Sequence, residues 1–190
     1  QICLVPASER RLMMLSMEDK AHELAETGFV RIPGILAPGD LDTVREALAA
    51  AVQNQNERWE DSPYYIDSDM VHNPMTHDSI FLDFLANPVL NEHLEQLFDP
   101  HCILYAFTTT SMPPSGSNFS NRIHVDCPRH IEDYPTNVGF LIAIDEFTQE
   151  NGATYFLPGS HKSPQQPSED EFMRGAERVM LSPGEGVLVN

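Results

Sequence analysis

His124 and Asp126 stand one valine apart in the stretch NRIHVDCPRH, Asn121 to His130. An imidazole and a carboxylate at that spacing, at the mouth of an apolar run, invite metal chemistry. Side chains alternate across a β-strand, so residues two apart point to the same face. If that face lines a small barrel, both groups are costly to bury unless something satisfies them. A divalent metal would do so. One neutral imidazole and one carboxylate are two members of the 2-His-1-carboxylate triad of non-haem Fe(II) oxygenases, which leaves three adjacent coordination positions open. The same pair at a strand end beside a turn is also an ordinary surface feature, and the spacing alone does not choose between the two.

The elements that must position this pair come from the patterning around it. From about residue 101 the chain is rich in β-branched and aromatic residues. CILYAFTTTSM, SNRIHVD, NVGFLIAIDEF, GATYFLPGSH, RVMLSP and EGVLVN follow one another, separated by Pro, Gly, Asn and Asp. Short strands in series without helices between them indicate an antiparallel sandwich or barrel.

The first hundred residues have a helical texture. Ser16 is placed to cap a helix through MEDKAHELAETG, with acidic residues in the first turn and Gly28 as its stop. FVRIPGIL is extended. APGDLDTVREALAAAVQNQNERW is the strongest helix, with Leu41, Val44, Leu48 and Val52 at helical spacing and Ala49 to Ala51 favouring helix. EDSPYYIDSDMVHNPMTHD reads as a loop, and two shorter helices are expected over DSIFLDFLA and NPVLNEHLEQLF. The expectation is one domain over residues 1–190, with a mostly helical flanking layer (1–100) and strands that carry the site (101–190).

Composition narrows the partners. The 190 residues include 29 acidic and 11 basic side chains, a formal net charge of −18. So negative a surface repels phosphate backbones and anionic membranes, which argues against nucleic acid and against a membrane surface. No apolar run approaches the roughly 18 residues of a membrane span. The opening, QICLVPASERRLMM, makes a poor signal peptide. Cys3, Cys102 and Cys127 are odd in number and include no CxxC, which suggests reduced thiols and a cytoplasmic protein.

The stretch HVDCPRH…NVGFLIAIDEFTQENGATYFLPGSHK resembles the phytanoyl-CoA dioxygenase family of Fe(II)/2-oxoglutarate oxygenases. The likeness rests on the HxD pair and the apolar strand after it. Glu150-Asn151-Gly152, ATYFL, Pro158-Gly159-Ser160-His161 and SPGEGVLVN then follow in order. LAETGFVRIPGILAPGDLDTVREAL is similar to the family's opening, so the likeness covers nearly the whole chain. It implies a double-stranded β-helix, a jelly-roll or cupin-like barrel that is mainly β with flanking α-helices.

The resemblance further implies a dioxygenase using Fe(II), O2 and 2-oxoglutarate, which most simply hydroxylates a C–H bond of a small metabolite and releases succinate and CO2. His124 and Asp126 are then the first two iron ligands. Asn121 and Thr154 match positions that often hold 2-oxoglutarate. A carboxylate at 126, where family halogenases have a small residue, implies oxygenation. His72, Asn73 and Phe119, with Tyr64 and Tyr65, are candidate pocket walls. No basic cluster suggests a CoA thioester, so a small natural-product intermediate is the preferred substrate class.

The family's distal His ligand and oxoglutarate-binding Arg are expected just beyond Asn190, so the chain is expected to be a barrel truncated at its C-terminus. His161, in PGSH, is expected to pack or hydrogen-bond rather than ligate. Arg174 and Arg178 come too early to be the oxoglutarate arginine. Two other classes stay open: an inactive jelly-roll that binds a ligand, and a cupin-type metalloenzyme that does not use 2-oxoglutarate. Sequence does not indicate the oligomeric state.

Overall fold

The computed structural model describes residues 15–59, 69–98, 102–112, 122–127, 129–132 and 134–190. The chain divides into two compact units: one comprises Gln1–Ile35, Val125–Gln149 and Ala153–Asn190, the other Leu36–His124 with Glu150–Gly152.

In the first unit, helix α1 (Met17–Thr27) starts with a capping box. The Ser16 hydroxyl accepts the Asp19 N–H at 3.1 Å, and the Asp19 carboxylate accepts the Ser16 N–H at 3.1 Å. The helix ends at Gly28, whose φ of 88° is left-handed. Strand β1 (Phe29–Ile32) follows at once, with Val30 and Ile32 pointing into the core. It pairs antiparallel with β7 (Gly186–Val189), Val30 opposite Leu188 and Ile32 opposite Gly186. Strand β7 pairs on its other edge with β4 (Gly139–Ile142). The order β1–β7–β4 puts the apolar run Val187-Leu188 in the middle of the sheet.

Ala143, Val179, Leu181 and Val187 form the centre of this core, with Phe29, Phe147, Phe156 and Val189 packed on them. The Phe29 and Phe156 rings stack at 5.2 Å. Strands β5 (Tyr155–Phe156) and β6 (Glu177–Arg178) make a second small antiparallel pair. Between them lies α5 (Glu169–Gly175), capped by a reciprocal Ser168–Glu171 box.

The second unit is built on α2 (Leu41–Trp59), the antiparallel pair β2 (Met70–His72) and β3 (Thr108–Thr110), α3 (Ile80–Leu85) and α4 (Pro88–Leu97). Phe81, Phe84 and Phe107 cluster with centroid separations of 5.9 to 6.4 Å. Helix α4 begins where the Asn87 carbonyl side chain accepts the Val89 and Leu90 N–H groups, with Pro88 at the first helical position.

Several expectations change. The described strands are two to four residues long, helix exceeds strand among the described residues, and the sheets there form no closed barrel. CILYAFTTTSM contributes only Thr108–Thr110, because Ile103, Leu104 and Tyr105 are exposed and unpaired by any sheet neighbour among the described residues. SNRIHVD forms no strand over residues 122–127. A strand exists only by pairing with a neighbour, and no described segment pairs there. β2 falls in a stretch read as loop, and α5 lies in the half read as strands. No helix among the described residues is long and apolar enough to cross a membrane.

Candidate active site

His124 and Asp126 sit on an exposed irregular segment, with Asp126 at a bend. The strand periodicity that would have aimed both at one face does not apply, and local bonds orient the side chains instead. His124 Nδ1 lies 2.8 Å from the Arg122 carbonyl oxygen. A carbonyl can only accept, so Nδ1 carries the proton and the lone pair of the neutral ring is on Nε2. Asp126 faces the start of β4: a Cβ at Gly139 would lie 4.0 Å from Asp126 Oδ2.

The segment beyond is stitched by short-range bonds. Thr136 Oγ1 donates to the Arg129 carbonyl at 3.0 Å and lies 3.6 Å from Cys127 Sγ. The Thr136 hydrogen bond, with a backbone bond at Arg129, holds the Cys127 thiol below its usual range. Cys102 and Cys127 are both free thiols.

Among the described residues no group of three or more His, Cys, Asp and Glu side chains converges to hold a metal ion. His161 Nε2 instead donates to the Ala25 carbonyl at 3.1 Å, the hydrogen-bonding role expected for it. His130 is exposed. Arg178 stacks over the Tyr155 ring at 4.6 Å and donates to the Gln149 carbonyl and the Tyr155 hydroxyl, so its guanidinium ties Gln149 to Tyr155.

Thr154 is half-buried at the entry to β5, and its carbonyl accepts the Val179 N–H at 2.9 Å. His72 is the exposed end of β2. Asn73 follows it in a left-handed conformation, φ 53°. Its N–H reaches the Phe107 carbonyl at 2.9 Å. Asn121, Phe119, Tyr64 and Tyr65 lie outside the described residues.

Gln55 escaped the sequence reading. Its buried amide donates to the Met70 carbonyl and accepts the His72 N–H at 3.0 Å, so a helix side chain serves as the second edge partner of β2. The signal was present: 41, 44, 48, 51 and 55 form one helical stripe, and Gln55 continues it where an apolar residue is expected.

Known proteins share stretches of this sequence and its fold. A 115-residue stretch is 32% identical to an uncharacterized protein, Rv1501, of Mycobacterium tuberculosis, covering 58% of this chain and 42% of that one. Another 115-residue match, 30% identical, is to the iron/alpha-ketoglutarate-dependent dioxygenase penM of Penicillium thymicola, over 56% of this chain and 36% of that one. The chain thus spans less than half the length of these two relatives. The crystal structure of HygX from Streptomyces hygroscopicus with nickel and 2-oxoglutarate bound shares the fold at a TM-score of 0.67. It does so over 93% of this chain and 78% of that one, at 16% identity. The profile of the phytanoyl-CoA dioxygenase (PhyH) family matches residues 24–188, nearly the full chain, and the protein belongs to that family.

Proposed function

We propose that this chain carries the iron-binding pair of an Fe(II)/2-oxoglutarate-dependent dioxygenase that hydroxylates a C–H bond of a small metabolite, with succinate and CO2 as co-products. The observation that carries the reading is the His124 tautomer. Its Nδ1–H donates to the Arg122 carbonyl at 2.8 Å, an outer bond that fixes the tautomer with the lone pair on Nε2, as in a histidine that ligates a metal. Asp126, two residues on, supplies an anionic oxygen. A hard carboxylate and a neutral imidazole suit Fe(II).

When bound, the iron supplies the activation of O2, with 2-oxoglutarate as co-substrate. The chain's own residues have narrower tasks. His124 and Asp126 hold the metal and contribute one negative charge between them. Asp126 faces Gly139 at the start of β4, where even a Cβ would make only ordinary contact with the carboxylate. Asn121 and Thr154 are assigned to 2-oxoglutarate, and His72, Asn73 and Phe119 to the substrate wall. The short sheets belong to a double-stranded β-helix, and the whole chain to one oxygenase domain. The lack of a basic cluster in the sequence favours a small natural-product intermediate over a CoA thioester.

Asp126→Ala tests the assignment without knowledge of the substrate. The wild-type protein, given Fe(II) and 2-oxoglutarate, is expected to form succinate slowly by uncoupled turnover. The variant should lose this, and lose Fe(II) binding measured by equilibrium dialysis. Equal succinate formation by both proteins would remove Asp126 from the site. Metal binding with no effect of 2-oxoglutarate would point to the cupin-type alternative instead.

A further inference from the structure

We propose that the turn Pro158-Gly159-Ser160-His161 is a pH-sensitive latch on the last turn of α1, closed while the His161 imidazole is neutral and opened when the ring is protonated. The final carbonyls of a helix have no partner within it. Here the turn supplies partners: the Gly159 N–H donates to the Thr27 carbonyl at 2.7 Å, and His161 Nε2 donates to the Ala25 carbonyl at 3.1 Å. Lys162 adds an ion pair to Glu26 at 3.1 Å.

The His161 ring lies against the glycine that ends α1. A Cβ at Gly28 would sit 2.4 Å from His161 Nδ1, so only a glycine admits the ring. Because Nε2 is the donor, Nδ1 is unprotonated in the neutral ring. It is buried, with no hydrogen-bond partner among the described residues. Adding a proton would drive an N–H against the Gly28 backbone with no acceptor, while Nε2 stayed committed to Ala25. The ring as a whole is half-buried, so a charged imidazole can escape by turning out to water. That movement breaks the bond to Ala25.

The charges that face the ring partly cancel. Glu26, one residue from the Ala25 carbonyl, favours the cation, and so does the negative end of the helix dipole. Lys162 and His130 oppose it, and His22 on α1 acts on Glu26. Loss of hydration is the largest influence; it outweighs both these charges and the bond to the Ala25 carbonyl, which also favours the cation, and keeps the ring more acidic than an ordinary histidine. Asp126 and His124 play no part in the latch.

Amide hydrogen exchange of the full chain, corrected for the intrinsic effect of pH, reads the latch at the Gly159 N–H. Protection should fall roughly tenfold per pH unit below the ordinary histidine value of about 6.5, until the folded value is reached. His161→Gln, which keeps a neutral donor, should remove this dependence, and His130→Gln should leave it in place. Constant protection in the wild type, or an acid loss that survives in H161Q, would overturn the latch. If H161Q does not fold, the imidazole titration of wild-type His161 followed by NMR decides. A midpoint below about 6.5 supports the latch, and one at or above it overturns the latch.

Discussion

A neutral imidazole has one donor and one acceptor, and His124, His161 and His93 each give their donor to a backbone carbonyl. What is left differs. For His124 the tautomer puts the lone pair on Nε2, one of the two nitrogens through which an imidazole can ligate a metal. For His93, inside α4, Nδ1 donates to the Val89 carbonyl at 2.7 Å and Nε2 is buried with no partner among the described residues. An orphan polar atom in a core costs about 1–3 kcal/mol. His93→Leu is therefore expected to leave urea-denaturation stability unchanged or raised, while His93→Ala should lower it by about 2 kcal/mol through the cavity. Gln55 is the opposite case, with both ends of its amide satisfied by β2. Gln55→Met should fill the space yet strand the Met70 carbonyl and the His72 N–H, lowering stability by about 2 kcal/mol on the same assay.

At the scale of elements, two glycines decide whether segments can meet. Gly28 both ends α1 with a left-handed φ of 88° and makes room for His161. Gly28→Ala is expected to cost at least about 1–2 kcal/mol from the backbone alone, since the left-handed region disfavours a Cβ. It should also abolish the pH dependence of the Gly159 amide by displacing the ring. Gly186 lies in the central strand β7, where a Cβ would sit 2.6 Å from Ile35 Cδ1 and 2.8 Å from the Leu141 carbonyl oxygen. The Ile35 side chain can turn away, but the backbone of β4 cannot. Gly186→Ala should cost about 1–3 kcal/mol by overpacking, read as a lowered thermal midpoint. The helix starts were legible because capping is local: Ser16 with Asp19 bonds within one turn. Strand extents were not, because a strand's length is set by a partner remote in sequence. Ile103, Leu104 and Tyr105 have the composition of a strand and stay exposed.

Over the whole molecule, charge and protonation set the response to conditions. With a net charge of −18, self-repulsion at neutral pH opposes compaction, and salt screens it. Raising NaCl from low to moderate concentration should raise the thermal midpoint at pH 7, by calorimetry. Acid acts at two separate ranges. His161 has a folded pKa below its ordinary value, so its contribution is complete above about pH 6.5 and is lost as pH falls from there toward the folded value. Asp19, Glu26 and Glu171 are held below the usual carboxylate range by hydrogen bonds from Ser16, Lys162 and Ser168 respectively. Their contribution is present above the ordinary carboxylate value and is lost as pH falls through the folded values below it. Stability measured against pH should therefore begin to fall below about pH 6.5, the ordinary histidine value, and fall again as the carboxylates titrate. The first fall should be absent in His161→Gln.

The sequence by itself determined what depends on neighbours along the chain. That includes the family, carried by His124, Asp126, the Glu150–Gly152 turn and the PGSH turn in fixed order. It includes the α1 cap at Ser16, the stop at Gly28 and the amphipathic stripe of α2. Tertiary structure alone decided what depends on residues far apart. It placed β7 between β1 and β4, closed β2 with a glutamine side chain from α2, and set His161 against a glycine 133 positions earlier. The reason is physical: a cap or a turn is satisfied within one turn of backbone, whereas a sheet edge or a buried ring nitrogen takes its partner from whatever the fold brings alongside.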